Sequence, residues 1–301
     1  MTPRGKLYGI GVGPGDPDLM TVRACRLLEA SETIACPVTE AGGESAALRI
    51  VRGSVDLRDK EIVELVFTMD PDEDVRRKCR AKAADRVCGI LSSGRDVAVP
   101  VLGDPSVYST YMRIDAEIRR RGFDTEIVPG IPAMCSGAAA ARIPLATGNE
   151  ILSVVPMASK DIRRAGQALD ASDNVVFMKA SRSVGDIMDL MVSKGIPARN
   201  ALVMSNVGME GGYVGPPEPD RRYGYFTTVL VKKTLRRCGK TAPAVRRAWT
   251  SDRSLRCRRA RISCRHPTRN TKTRGRGNPP HPDARRLPGA HLITHNRWGE
   301  V

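Results

Sequence analysis

Gly11-Val-Gly-Pro-Gly-Asp-Pro17 follows on an apolar run, Leu7 to Val12, and its reading decides the architecture. Glycine and proline together make a turn this sharp, and in open α/β sheets the loop after a first strand lies where ligands bind. A dinucleotide loop would read Gly-x-Gly-x-x-Gly and enter a helix at once. Here Asp16 takes the third glycine position, Pro14 and Pro17 interrupt, and helical spacing begins only near Thr21. The loop is glycine-rich without being a NAD loop. Standing alone it would be a tight turn, but three further strand-end loops follow it.

Working outward, strand-like runs alternate with helical periods. Leu7 to Val12, Thr33 to Cys36, Glu61 to Phe67, Asp96 to Leu102 and Thr125 to Val128 read as strands. Helices are expected from Thr21, over Glu44 to Val51, after Asp70-Pro-Asp72, and over Val107 to Arg121. This succession predicts a mostly parallel sheet covered on both faces. Pro144 to Asn149 reads as a linker. Beyond it, strands are expected at Ile151 to Val155, Asn174 to Met178, Ala201 to Ser205 and Gly224 to Lys232, with helices near Lys160 to Leu169 and Ser183 to Lys194. The expected fold class is therefore α/β, with one α/β domain over residues 1–143, a second over 150–233, and a binding cleft between them.

The net charge of +16 over 301 residues suggests a nucleic-acid binder until it is divided along the chain. Residues 1–233 hold 31 Lys and Arg against 30 Asp and Glu, whereas residues 234–301 hold 18 against 3. All histidines (His266, His281, His291, His295) and both tryptophans (Trp249, Trp298) also fall in that second part, so the body has no imidazole for acid-base or metal chemistry. The tail, rich in Arg, Pro, Ser and Thr and without a sustained apolar period, reads as disordered. It is a polyanion-binding arm, an appendage without a task, or the product of a shifted reading frame. Cys257, Cys264, His266 and His281 are spaced like no familiar zinc site, so no protein-bound metal is expected. The five body cysteines (Cys25, Cys36, Cys79, Cys88, Cys135) read as reduced and mostly buried, as in a cytoplasmic protein. No stretch is apolar for long enough to span a membrane.

The loops after the strands are Gly11 to Asp18, Gly103-Asp104-Pro105-Ser106-Val107-Tyr108, Val128-Pro129-Gly130-Ile131-Pro132-Ala133, and Ser205 to Glu210. With Gly224-Tyr-Phe-Thr-Thr228 they form, in this order, a set of motifs that resembles the tetrapyrrole methylase family across residues 4–233. The resemblance is strongest to the branch of C20-methyltransferases acting on precorrin-2 or cobalt-factor II. It implies S-adenosylmethionine as methyl donor, a tetrapyrrole substrate, cobalamin synthesis as the pathway, and a homodimer. Carried over by motif, it implies Pro14 in the first-loop part of the cleft. It further implies Leu102, Gly103, Asp104 and Val107 at the donor's amino-acid and sulfonium portion, and Ala133, Met178, Thr227 and Thr228 at its adenosine. Ser205 to Gly208 is a weaker match. Other members of the family, methylating another ring carbon or acting as diphthine synthase, and nucleic-acid binding by the tail stand as alternatives.

The residues fit methyl transfer on separate grounds. A sulfonium methyl is already activated, so transfer depends on in-line positioning and exclusion of water more than on a charged catalyst. One group is still expected to accept the proton released from the methylated carbon. Asp104 is the candidate and Tyr108 the second, because both stand where a strand ends at the cleft. Against these roles, Asp104 could cap the turn and Tyr108 could serve packing. Arg49, Arg52, Arg113 and Arg142 are possible forks for substrate carboxylates or else solvated helix faces.

Overall fold

The structure is a computed structural model and describes residues 4–234. The expectations placed on residues 235–301, including disorder, polyanion binding and the Cys257, Cys264, His266 and His281 group, lie outside the described residues.

Strands β1 (Leu7–Gly11), β2 (Thr33–Val38), β3 (Glu61–Val66), β4 (Val97–Val101) and β5 (Thr125–Val128) form a wholly parallel sheet in the order β3-β2-β4-β1-β5. Every residue of β4 is buried, as a strand covered on both faces requires. One face carries α3 (Glu73–Ser92) and α4 (Tyr111–Arg120), whose Val87, Leu91, Ile114 and Ile118 pack on Leu7, Val63 and Val99. The other carries α1 (Val22–Ala30) and α2 (Ala46–Ser54), whose Leu28, Leu48 and Val51 pack on Ile10, Ile34 and Ala98. Thr21 and Ser45 cap these two helices, accepting from Ala24 N and Leu48 N.

Strands β6 (Leu152–Pro156), β7 (Asn174–Met178), β8 (Ala201–Ser205), β9 (Tyr213–Gly215) and β10 (Thr227–Lys232) form a second sheet, in the order β6-β7-β10-β8-β9. It is mixed: β6 and β7 are parallel, while β10 runs antiparallel to β7 and β8, and β9 antiparallel to β8. Helices α6 (Ile162–Ala171) and α7 (Val184–Ser193) cover one face through Leu169, Ile187 and Met191. The other face receives α5 (Ala133–Ala141), whose Met134, Ala140 and Ala141 pack with Met204, Val214 and Leu230.

Five details differ from the sequence reading. The helix expected from Val107 starts at Tyr111, because Tyr108 adopts a left-handed backbone (φ 50°) and Ser109 Oγ accepts from Tyr111 N. Helix α5 was not anticipated, since its alanine run has no polar-apolar contrast to betray a period; it precedes the expected linker yet packs on the sheet that follows. Strand β9 lies in a proline-rich stretch for which no strand was expected, and β10 begins at Thr227 rather than Gly224. Of the body cysteines only Cys36 is buried; Cys25, Cys79 and Cys88 sit on helix flanks and Cys135 is exposed, all as free thiols. Among the described residues no helix is long and apolar enough to cross a membrane.

Candidate active site

Strands β4, β1 and β5 are neighbours, so the loops at their carboxyl ends meet, and they meet through glycine. A Cβ on Gly130 would lie 2.2 Å from Gly103 O and 2.8 Å from Gly11 Cα. Gly13 and Gly103 exchange backbone hydrogen bonds, Gly103 N donating to Gly13 O at 2.7 Å and Gly13 N to Gly103 O at 3.3 Å. The first loop also touches the second sheet's loops: a Cβ on Gly15 would fall 2.7 Å from both Val207 O and Met209 Cγ. Four motifs separated in sequence are thus locked together by backbone-on-backbone contact, which side chains would prevent.

A cavity of about 480 Å3 opens beside this junction. Its position follows from β4. Pairing of β2 with β4 extends only over Thr33–Val97 and Ile34–Ala98, short of Pro100, which has no N–H to offer a neighbour. Beyond that point the strands part, and Pro37, Val38 and Thr39 on one side and Val99 to Leu102 on the other become cavity wall. Every residue assigned to the site from sequence lines this one cavity: Pro14, Leu102, Gly103, Asp104, Val107, Tyr108, Ala133, Met178, Thr227 and Thr228. Those from the second sheet converge because β7 and β8 flank β10, bringing Met178 and Ser205 to the start of β10. Val207 of the weaker motif is also in the wall.

Asp104 is 9% exposed, and both of its carboxylate oxygens are engaged. Oδ1 accepts from Ser106 N at 2.8 Å and from the Ser106 hydroxyl; Oδ2 accepts from Gly130 N at 2.9 Å. Burial pushes its pKa up, but the bonds from Ser106 and Gly130 outweigh that and hold it below the ordinary carboxylate value. Such a group stays ionised at neutral pH and is a weak base. The geometry therefore favours bracing the β4 loop against the β5 loop, the cap-like alternative open in the sequence, over proton acceptance. Tyr108 is 41% exposed and lines the cavity, its hydroxyl donating to Val154 O of β6 at 2.8 Å. Thr227 and Thr228 are buried, and the Thr227 hydroxyl lies 3.0 Å from Ser205 Oγ and also bonds Gly224 O. Thr227 shapes the wall by fixing the Gly224–Phe226 turn.

Lys179 was missed. It follows Met178 in the cavity wall, has a left-handed backbone (φ 55°), and donates to Tyr108 O at 3.2 Å. Loss of hydration lowers its pKa, and among the described residues no carboxylate pairs with it. The available signal was a lysine at the exit of an otherwise buried strand. Tyr108, Lys179 and Asn206 are non-glycine residues with φ near +50°, all on loops of this cleft, where strained backbone often accompanies function. The wall segment Glu44 to Ala47 carries no motif and gave no signal. Arg49, Arg52, Arg113 and Arg142 are not brought into the main cavity wall.

Residues 6–215 match the family description Tetrapyrrole (Corrin/Porphyrin) Methylases. The chain belongs to this family. The methylase is 36% identical over 174 residues, 58% of its own length and 72% of the relative's, to the probable cobalt-precorrin-2 C(20)-methyltransferase of Methanocaldococcus jannaschii. It is 32% identical over 237 residues, 75% of its length and 95% of the relative's, to the precorrin-2 C(20)-methyltransferase of a Sinorhizobium species. Its fold matches the crystal structure of the methyltransferase CobJ with a TM-score of 0.59 over 78% of this chain and 97% of that one, at 20% identity. Among the described residues no group of three or more His, Cys, Asp or Glu is placed to hold a metal ion.

Proposed function

We propose that this methylase transfers a methyl group from S-adenosylmethionine to C20 of precorrin-2 or cobalt-factor II in cobalamin biosynthesis. The observation that carries the reading is the single cavity: loops with the family's motifs, from two sheets, enclose one space of a size suited to a cofactor-sized ligand. The relatives named above, which share about a third of their residues with this chain, direct the choice of C20.

The cavity suits such a donor. At Gly103 a Cβ would meet nothing nearer than Pro132 Cα at 3.8 Å, so the absent side chain leaves backbone open to a ligand. The remaining wall is largely aliphatic, proline and threonine, compatible with a cationic donor that turns neutral as it reacts. When bound, S-adenosylmethionine supplies an electrophilic methyl. Leu102, Gly103, Asp104 and Val107 would hold its amino-acid and sulfonium part, Ala133, Met178, Thr227 and Thr228 its adenosine, and Pro14 would border it from the first loop. Asp104 positions the loop and adds a negative charge favourable to a sulfonium, while Tyr108 ties that loop to β6. Lys179 offers a cation to a carboxylate of the tetrapyrrole. In this reading residues 1–143 and 150–233 act as two domains around the cleft, in a cytoplasmic homodimer, and any cobalt arrives within the substrate.

The test is anaerobic incubation of the full chain with S-adenosylmethionine and either metal-free or cobalt-loaded precorrin-2, followed by mass spectrometry and NMR. A product one methyl heavier, methylated at C20, is expected from at least one substrate. Methylation at another carbon, or none, overturns the assignment.

A further inference from the structure

A second, smaller cavity of about 180 Å3 adjoins the first. Phe67, Met69 and Thr110 belong to the walls of both, so the two spaces are neighbours. The smaller one differs in chemistry, being lined also by Thr68, Arg76 and Arg80. Arg76 and Arg80 project from successive turns of α3, and Arg113, outside this wall and largely exposed, comes from α4, which packs beside it.

All three converge on one carboxylate. Arg76 donates through Nε and one terminal nitrogen to Glu73 Oε2 at 2.8 and 2.6 Å, and through its other to Asp70 O at 2.6 Å and Pro71 O at 3.0 Å. Arg80 reaches Glu73 Oε1 at 2.5 Å with a single nitrogen. Arg113 stands 3.6 Å from the same oxygen, beyond hydrogen-bond range. The neighbouring acids are occupied elsewhere: Asp70 and Asp72 accept from the backbone N–H groups of Asp72 and Asp74. Arg76 is thus nearly saturated, with one N–H left over, whereas Arg80 and Arg113 share one oxygen and retain most of their donors. Glu73 shows that the cluster accommodates a carboxylate, and the guanidiniums hold its pKa down at about 2.

We infer that Arg80 and Arg113, set in register by Glu73 and Arg76, form a docking site for a carboxylate arm of the tetrapyrrole, whose ring would lie against the donor at the open side of the adjoining cavity. A guanidinium pair accepts a carboxylate in a fixed plane and so would set which edge of the macrocycle enters first. Thr68 and Thr110 line the same space. This inference rests on the tetrapyrrole reading proposed above. It gives Arg113 a role that its exposure alone did not show, and it brings in Arg80, which no sequence motif marked.

The test is fluorescence titration of the full-length protein with uroporphyrin, a polycarboxylate tetrapyrrole, comparing the natural chain with R113Q alone and with R80Q/R113Q, while S-adenosylmethionine affinity is measured in parallel. Loss of charge-assisted hydrogen bonds should weaken uroporphyrin binding by roughly tenfold or more in the double variant, with a smaller loss in R113Q. Donor affinity should stay within about twofold, which also reports that the fold is intact. Equal uroporphyrin affinity in the natural chain and R80Q/R113Q overturns the site whether or not precorrin-2 is methylated. Binding that depends on these arginines, without methylation of precorrin-2, supports the carboxylate site and overturns the C20 assignment instead.

Discussion

Replacing Asp104 with Asn separates bracing from proton transfer. An amide oriented to accept from Ser106 turns its NH2 toward Gly130 N, so a donor faces a donor where Oδ2 now accepts at 2.9 Å. A hydrogen bond to a charged group contributes about 1.5–3 kcal/mol, and an orphaned buried N–H costs a comparable amount. Relief of carboxylate desolvation, the largest influence raising the Asp104 pKa, offsets part of this. We therefore expect a loss of about 2–3 kcal/mol in stability, roughly 4–12 °C in Tm for a chain of this size. Because the same bonds hold the β4 loop against the β5 loop, donor affinity should fall about tenfold, near 1.4 kcal/mol, and kcat by no more than a similar factor. Isothermal titration with S-adenosylmethionine and single-turnover kinetics read the two separately. A proton-accepting Asp104 would instead lose roughly 100- to 10,000-fold in kcat with donor affinity unchanged, and that result would refute the bracing argument. The pH profile gives a second check. A carboxyl held below its ordinary pKa contributes stability above about pH 3.9 that is lost as pH falls through its folded value, so it should leave no limb near neutrality in kcat.

Further outcomes follow from the same geometry. Gly130→Ala, with its Cβ 2.2 Å from Gly103 O, should cost about 3 kcal/mol or more in urea unfolding, whereas Gly103→Ala should cost only the 1–2 kcal/mol or so of a left-handed backbone and show mainly as weaker donor binding. Equal stability losses in the two would mean that the loops do not meet as described. Lys179→Met should raise KM for the tetrapyrrole about tenfold and leave donor affinity unchanged, and in the natural enzyme substrate affinity should fall at alkaline pH from below the ordinary lysine pKa. A donor-binding defect in that variant would assign Lys179 to the other ligand. Glu150, held at about pKa 2 by Asn174, the Thr147 amide and Lys232, stabilises the second sheet above about pH 4.5, and that contribution is lost as pH falls toward 2. Urea midpoints followed from neutral to acid pH should change less steeply in Glu150→Gln.

The parallel sheet and the site loops were legible because both depend on backbone. A strand buried on two faces must be apolar throughout, as Val97 to Val101 is, and loops that touch through their main chains must carry glycine where they touch. Gly11, Gly103 and Gly130 therefore left their mark in the sequence long before any contact between them was visible. Where secondary structure depended on tertiary partners, the signal failed. The alanines of α5 have no period of their own and are helical against Met204 and Leu230, and β9 exists only by pairing with Val203 to Ser205. Asp104 was legible as a site residue but not in its role, because the sequence does not show which amides its oxygens meet.

The charged groups were hidden for a related reason. An arginine on a helix is usually a solvated face, and Arg80 and Arg113, more than thirty positions apart, become a pair only through the packing of α3 on α4 and their shared approach to Glu73. Lys179 likewise gains meaning only where β7 ends in the cleft. The contrast suggests a division of labour within the fold. Loop backbones, fixed by glycine and by the break in pairing before Pro100, build a mostly apolar chamber for a donor, and Lys179 at its wall with arginines on helices beside it supplies the positive charge that would select an acidic acceptor. Substitutions at the glycines should then impair donor binding first, and substitutions at the arginines acceptor binding first. A chain whose two ligands responded alike to both classes of change would not be organised in this way.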